Sequence, residues 1–181
     1  ANEVAQICEA VGGDVWRVRE LVNKSPGRNM LYPGAGVGGH CIPKDPWLLI
    51  SNLNGNYVPS LIPTARKLNR SMPRHIVHLT ESALNEAGVK LADAVIVVLG
   101  YAYLENSDDT RDTPSQALVE DLRRCCKELR IQDPFVQDYQ TDLDTALQGA
   151  HAAVIMVAHD LYHQQDWTEK LKLLQTPVLI D

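Results

Sequence analysis

Hydrophobic residues change their spacing near residue 90 of this 181-residue chain. Before that point they recur at near-helical intervals, which predicts helices over 2–23, 43–53 and 60–87. Gly12-Gly13 interrupts the first of these helices, and Asp14 is placed to cap its second piece. The first half of the chain is therefore predicted to be helical, with a glycine-rich loop between its helices.

Short apolar runs alternate with amphipathic segments after residue 90. Strands are predicted at Ala94–Leu99, Ala152–Ala158 and Val178–Ile180, with a weaker one at Pro134–Gln137. Helices are predicted at Pro114–Arg130, Asp142–Gly149 and Asp166–Leu174. This alternation predicts an α/β fold, a Rossmann-like parallel sheet with helices on both faces. We therefore divide the chain into a helical region, 1–90, and a sheet domain, 91–181.

Composition excludes some classes of function. The formal net charge of −6 disfavours a nucleic-acid-binding protein but allows a local basic pocket for a phosphate. No apolar run approaches the ~20 residues of a membrane span, so no membrane partner is expected. The chain does not begin with methionine and ends at a predicted strand, so we expect it to be part of a longer polypeptide.

The cysteines are expected to be free thiols in a reducing cytoplasm, because none forms a Cys-x-x-Cys pair. They are Cys8, Cys41, Cys125 and Cys126. A metal site is not expected, because the adjacent His40 and Cys41 lack a second spaced pair of ligands.

Residues 34–39 match the pattern G-x-G-x-x-G, which is typical of dinucleotide-binding turns. Such a turn needs a strand before it and a helix that starts within it. Here Pro33 precedes the first glycine, no β-branched run comes before it, and Pro43 and Pro46 fall where the helix should be well under way. The context therefore disfavours a dinucleotide turn.

Cys41 offers a different interpretation of the same loop. A thiol near a helix N-terminus lies at the positive end of the helix dipole, and Lys44 adds a second positive charge, so both favour the thiolate. The preceding glycines allow a close approach of backbone N–H groups to an oxyanion. Asp45 can act on a water that cleaves a covalent intermediate. A buried structural cysteine in a tight turn is the alternative.

The segment Gly36-Val-Gly-Gly-His-Cys-Ile-Pro-Lys-Asp-Pro46 closely resembles the nucleophile motif of the UDP-sugar dehydrogenases, the UDP-glucose and UDP-N-acetylhexosamine 6-dehydrogenase family. Further segments match that family in order: Ala1–Glu9 and Gly13–Val15 in its central helix, Val98–Tyr103 and Asn106–Pro114 at the start of its C-terminal domain, then Ala158–Asp160 and Asp181. The resemblance covers nearly the whole chain. No segment of the chain resembles the family's N-terminal NAD-binding domain, so we expect that domain to be absent from these residues.

This resemblance implies an oxidoreductase that converts the C6 hydroxyl of a UDP-sugar into a carboxylate with two NAD. Cys41 would form a thiohemiacetal and then a thioester, and Asp45 would assist the water that releases the acid. His40 stands where the UDP-glucose enzymes typically have serine, which favours a UDP-N-acetylhexosamine substrate. A loop-packing role for His40 stays open.

The resemblance also implies further site residues. Those on the substrate side are Arg28, Tyr32, Gly34, Gly36, Gly38, Tyr103 and Leu104. Lys44 and Arg111 are implied on the NAD side, although a local ion pair is the alternative for Arg111. Leu104 replaces a lysine that the family usually has, which puts that contact in doubt.

The helical region 1–90 is rich in apolar stripes and is expected to form a homodimer. Without an NAD-binding domain, the chain alone is expected to be inactive. A non-catalytic module that binds a nucleotide sugar and dimerises is the alternative function.

Overall fold

The computed structural model describes all residues, 1–181. Its helices are α1 (Asn2–Val11), α2 (Val15–Asn23), α3 (Cys41–Ile50), α4 (Leu61–Glu86), α5 (Pro114–Cys125), α6 (Leu143–Leu147), α7 (Asp160–His163) and α8 (Trp167–Lys170). Its strands are β1 (Val95–Leu99), β2 (Glu128–Gln132), β3 (Ala152–Ile155) and β4 (Val178–Ile180). None of the helices is both long enough and apolar enough to cross a membrane.

The four strands form one sheet in the order β2-β1-β3-β4. All three pairings are parallel, and Ile96 of β1 lies opposite Leu129 of β2 and Ala152 of β3. The predicted α/β fold with a parallel sheet is confirmed. The order reverses between β1 and β3, and open sheets of this kind bind ligands in the crevice at the carboxyl ends of such strands.

Alternate residues of β1 enter two separate cores, one on each face of the sheet. Ile96 and Val98 pack in the core that α4 and α5 cover. Val95, Val97 and Leu99 pack in the core that contains α6 and α7. Because successive side chains of a strand point to opposite faces, this division places helices on both faces, as predicted.

The long helix α4 joins the helical region to the sheet. Val77 and Leu84 in its second half are buried in the first core, while its first half runs beside the glycine-rich loop. Gly88 ends it with a φ of +79°, a conformation that glycine adopts without strain. The start of α2 also follows prediction, since the side chain of Asp14 accepts hydrogen bonds from two backbone N–H groups.

The chain between 114 and 139 was predicted wrongly. Helix α5 ends at Cys125, and the strand lies at Glu128–Gln132 instead of Pro134–Gln137. Good helix formers in 120–130 masked a period-two pattern, in which Leu129 and Ile131 pack against the first core while Glu128 stays exposed. As an edge strand, β2 needs only this weak alternation.

Helix α3 begins at Cys41, two residues earlier than predicted. The cysteine is therefore the first residue of the helix itself.

Candidate active site

Cys41 occupies the first position of α3 and is exposed to solvent. His40 precedes the helix, and its Nε2 atom accepts a hydrogen bond of 2.9 Å from Nζ of Lys44. The same ammonium lies 4.0 Å from the carboxylate of Asp45. One turn of helix therefore gathers the sulfur, a cation and a carboxylate at one helix N-terminus.

Cys41 and Asp45 line one cavity of about 610 Å³. Its other lining residues are mostly apolar: Ile42, Pro46, Leu49, Ile62, Ala65 and Arg66. The sulfur is not sealed inside packing, so a substrate carbon can reach it. A nucleophilic thiol with a carboxylate in the same apolar cavity is an arrangement suited to covalent catalysis followed by hydrolysis.

Asn69 of α4 fixes the glycine-rich loop. Its Oδ1 accepts a hydrogen bond of 2.9 Å from the N–H of Val37, and its Nδ2 donates one of 3.1 Å to the carbonyl of Val37. Sequence reasoning missed this residue, because a single asparagine within a long helix is only a weak signal. The signal is its poor helix propensity in the middle of an otherwise good helix.

Gly38 and Gly39 pack directly on the first loop of the sheet domain, which follows β1. A Cβ atom on Gly38 would lie 2.5 Å from the carbonyl oxygen of Asp112, and one on Gly39 would lie 2.8 Å from the ring of Tyr103. The N–H of Gly39 donates a hydrogen bond of 2.9 Å to the carbonyl of Arg111. Only glycine allows this approach.

This packing places the glycine-rich loop beside Pro114, the first residue of α5. In a dinucleotide-binding fold that helix N-terminus receives the pyrophosphate. Here β1 is followed by Gly100 alone, and the chain's own loop occupies the space.

Arg111 brings a positive charge to the sulfur. Its guanidinium forms a hydrogen bond of 2.9 Å with Asp109, which raises the pKa of Arg111, and the nearby Cys41 adds to this effect. The same contact lowers the pKa of Asp109, to which His40 also contributes. The side chain of Arg111 remains 64% exposed. It can therefore contact a ligand while it stays paired.

A second cavity, which we name the cleft, has a volume of about 850 Å³ and lies at the carboxyl ends of β3 and β4. It is lined by Tyr103–Glu105, Pro33–Ala35, Met156–Ala158 and residues of α1, α2 and α4. The acidic residues among its lining are Glu9, Asp14, Glu105 and Asp181, and it contains no lysine or arginine. Tyr103 lines the cleft and also packs against Gly39, two residues before Cys41.

The predicted substrate residues do not all come together. Gly34, Tyr103 and Leu104 line the cleft, while Gly36 and Gly38 shape the loop without lining either cavity. Tyr32 is 69% exposed and stacks under the guanidinium of Arg19, 3.5 Å from its ring centre. Arg28 follows α2 and lines neither cavity.

A buried polar cluster at the carboxyl ends of the strands was missed from the sequence. Asp133 is fully buried and accepts hydrogen bonds from the N–H groups of Tyr101 (2.6 Å) and Ala102 (3.0 Å) and from the ring of His159 (3.2 Å). Burial alone would raise the pKa of Asp133, but these hydrogen bonds outweigh it, so the pKa lies well below its ordinary value. The other ring nitrogen of His159 accepts from the N–H of Asn106 at 2.8 Å.

This cluster holds the loop that carries Tyr103 and Arg111. Because β2 was predicted in the wrong place, no sequence pattern indicated that Asp133 follows the end of a strand.

The fold and the cysteine loop together define a Rossmann-like α/β domain joined to a helical unit with an exposed cysteine at a helix start. Two family models match the chain. The central domain of the UDP-glucose/GDP-mannose dehydrogenase family matches residues 1–71, and the UDP-binding domain of the same family matches residues 97–181. Only the stretch 72–96 lies outside these matches. The chain belongs to the UDP-glucose/GDP-mannose dehydrogenase family.

Two relatives with named activities are similar to this chain in sequence. A UDP-N-acetyl-D-mannosamine dehydrogenase of Pyrococcus horikoshii is 39% identical over 181 residues, which are 100% of this chain and 43% of the relative. An NDP-N-acetyl-D-galactosaminuronic acid dehydrogenase of Ralstonia nicotianae is 30% identical, over 100% of this chain and 43% of its own length. The chain thus spans less than half the length of these relatives.

Solved structures agree with the fold. A UDP-D-ManNAc dehydrogenase from Pyrococcus horikoshii superposes with a TM-score of 0.94 at 38% identity, over 99% of this chain and 43% of that one. An NDP-N-acetyl-D-galactosaminuronic acid dehydrogenase from Methanosarcina mazei gives 0.88 at 31% identity, over 95% and 40%.

Proposed function

We propose that this chain is the nucleophile-bearing and UDP-binding part of a UDP-sugar 6-dehydrogenase, which oxidises the C6 hydroxyl of a UDP-N-acetylhexosamine to a carboxylate. The observation that carries the proposal is the exposed Cys41 at the start of α3, in one cavity with Asp45. Family membership and the activities for which the relatives are named support the same reaction class.

The sugar end of the substrate is proposed to enter the Cys41 cavity, with its C6 carbon at the sulfur. Once C6 is an aldehyde, the Cys41 thiolate adds to it and the carbonyl oxygen takes a proton, which gives a thiohemiacetal. Loss of a hydride and a proton from this adduct leaves a thioester on Cys41. Water, deprotonated by Asp45, then attacks the thioester carbon and expels the thiolate, which frees the carboxylate.

NAD, when bound, would supply the oxidising power as the acceptor of the two hydrides. The domain that binds NAD is proposed to lie elsewhere in the polypeptide. Lys44 and Arg111 are the cations beside Cys41 that are exposed enough to contact NAD. Their side chains are 48% and 64% exposed.

The nucleoside of the substrate is proposed to lie in the cleft. The apolar lining suits an aromatic base, and its carboxylates can accept hydrogen bonds from ribose hydroxyls and a base N–H. Because the cleft has no lysine or arginine, cations outside it have to neutralise the diphosphate. Arg28 is proposed as one of these cations. It would supply the positive charge that is missing at position 104, where this chain has leucine and the family usually has lysine.

Homodimerisation through the helical region and a cytoplasmic location complete the proposal. Exposed apolar side chains of α3 and the following loop, such as Leu48, Leu49 and Val58, support an interface there.

Turnover of the full-length polypeptide tests this function. It should reduce NAD with a UDP-N-acetylhexosamine, two NADH for each acid, and Cys41→Ser should lose at least ~10³-fold in kcat. Cys8→Ser, at a buried cysteine, is the matched control and should retain activity. Iodoacetamide should also label Cys41 faster than Cys8. Absence of turnover with every UDP-hexose and UDP-N-acetylhexosamine would favour the non-catalytic binding module instead.

A further inference from the structure

Arg66 of α4 is a buried cation that forms no ion pair. Its residue is only 6% exposed, and its Nε atom has no hydrogen-bond partner. Its guanidinium takes part in none of the ion pairs of the structure. An unpaired buried charge is costly, so a compensating anion is expected at this position.

Arg66 lines a cavity of about 460 Å³ between α3, α4 and α5. Lys67, Arg70 and Arg74 line the same cavity, and the three arginines repeat every four residues along one face of α4. Burial lowers the pKa of Arg66 and the charge of Arg70 lowers it further, while the charge of Asp112 acts in the opposite direction. A concentration of like charges of this kind destabilises the protein unless an anion bridges it.

Little acidic charge balances this cavity. Asp121 is the only acidic residue of its lining, and its carboxylate already lies 3.6 Å from Arg124. The chain as a whole has a net charge of −6, so the four cations are a local exception. Their arrangement therefore favours an anion from outside these residues.

The cavity also has an aromatic wall, since the indole of Trp47 lines it. Arginine guanidinium groups bind phosphate oxygens in a bidentate geometry, and aromatic rings stack on nucleobases. The volume lies in the range of small-molecule sites.

We propose that this cavity is a second nucleotide site, in which Arg66, Arg70 and Arg74 bind the phosphates of a nucleoside diphosphate and Trp47 contacts its base. The site shares no lining residue with the cleft. Arg66 is the one residue that it shares with the Cys41 cavity, so the site adjoins the proposed sugar site. Its other lining residues are its own, and binding there does not require the reaction at Cys41.

Calorimetric titration with inorganic pyrophosphate tests the phosphate part. The full-length polypeptide is first saturated with UDP and NAD, so that substrate and cofactor sites are filled. Pyrophosphate should still bind, and Arg70→Gln/Arg74→Gln should weaken this binding by at least about tenfold, because two charges facing the ligand are removed. Arg17→Gln/Lys172→Gln removes the same charge from exposed positions elsewhere and should leave the affinity unchanged. No binding to the parent protein, or an equal loss in both variants, overturns the proposal.

ADP tests the nucleotide part. It should bind more tightly than pyrophosphate, and Trp47→Ala should remove that advantage. Equal affinities of ADP and pyrophosphate for the parent protein would overturn the assignment to a nucleotide. Because binding is measured without turnover, Cys41→Ala should give the same isotherms, which separates this result from a failure of the proposed reaction.

Arg66→Met tests the buried charge itself. Pyrophosphate should raise the melting temperature of the parent protein but not of this variant, and without pyrophosphate the variant should be at least as stable as the parent. If Arg66→Met is instead strongly destabilised without any anion, a carboxylate of the polypeptide itself already pairs with Arg66, and the site proposal is wrong.

Discussion

The carbonyl oxygen of Arg111 accepts a hydrogen bond of 2.9 Å from the backbone N–H of Gly39, two residues before Cys41. This bond joins the cysteine loop of the helical region to the first loop of the sheet domain. Tyr103 packs against Gly39 at the same junction. The domain that is proposed to bind UDP therefore helps to position Cys41, and a change in either loop should affect this cysteine.

The contact of Gly38 predicts a steric effect. A Cβ atom at this position would lie 2.5 Å from the carbonyl oxygen of Asp112 and 2.9 Å from the ring of Pro114, so Gly38→Ala has to push two backbones apart. We expect a loss of about 2–4 kcal/mol in the free energy of unfolding, measured in urea. Gly34→Ala is the control, because nothing lies within 4 Å of an added Cβ there. Equal stability of the two variants would mean that the loop does not rest on the sheet domain.

Asn69 should be needed for loop order. Asn69→Ala removes both hydrogen bonds to Val37, which should cost about 1–3 kcal/mol and slow the alkylation of Cys41 or turnover. Asn69→Asp keeps the acceptor for the Val37 N–H, so its stability should lie between those of the parent protein and Asn69→Ala. Asn85→Ala, at an exposed position of the same helix, should change stability by no more than ~0.5 kcal/mol. A similar effect at both positions would contradict the role of Asn69.

Asp133 should make the protein sensitive to acid. Its pKa in the folded state is below the ordinary value, so its contribution is fully present above the unfolded pKa of about 3.9 and is lost as the pH falls from there towards the folded pKa. Asp133→Asn should cost about 3 kcal/mol at neutral pH and give a flatter dependence of stability on pH in acid. Asp138→Asn, at an exposed carboxylate nearby, should change neither. An unchanged acid slope in Asp133→Asn would show that other carboxylates govern acid unfolding.

The features that local patterns specify were predictable from the sequence. Buried strands such as Val95–Leu99 are continuous apolar runs, and the position of Cys41 at a helix start follows from its glycines and prolines. The edge strand β2 was not predictable in the same way, because its burial pattern is only weakly alternating, with Glu128 exposed, the next three residues partly buried and Gln132 buried. Its neighbours are also good helix formers. Once β2 was misplaced, the role of Asp133 could not be inferred.

The other features that could not be predicted from the sequence depend on contacts between residues far apart in the chain. The bonds from Asn69 to Val37 span 32 positions in the sequence, and the unpaired state of Arg66 depends on which carboxylates the fold brings near it. The spacing of residues along the chain indicates neither the hydrogen bonds of Asn69 nor the unpaired state of Arg66. The tight fit of Gly38 against Asp112 likewise appears only when the two loops meet.

Trapping the covalent intermediate tests the central claim most directly. In the full-length polypeptide, Asp45→Asn should slow hydrolysis of the thioester more than its formation. Mass spectrometry after incubation with NAD and a UDP-N-acetylhexosamine should then find the acyl group of the oxidised sugar nucleotide on the peptide that contains Cys41. An unmodified Cys41 peptide, together with continued turnover in Cys41→Ala, would contradict the account.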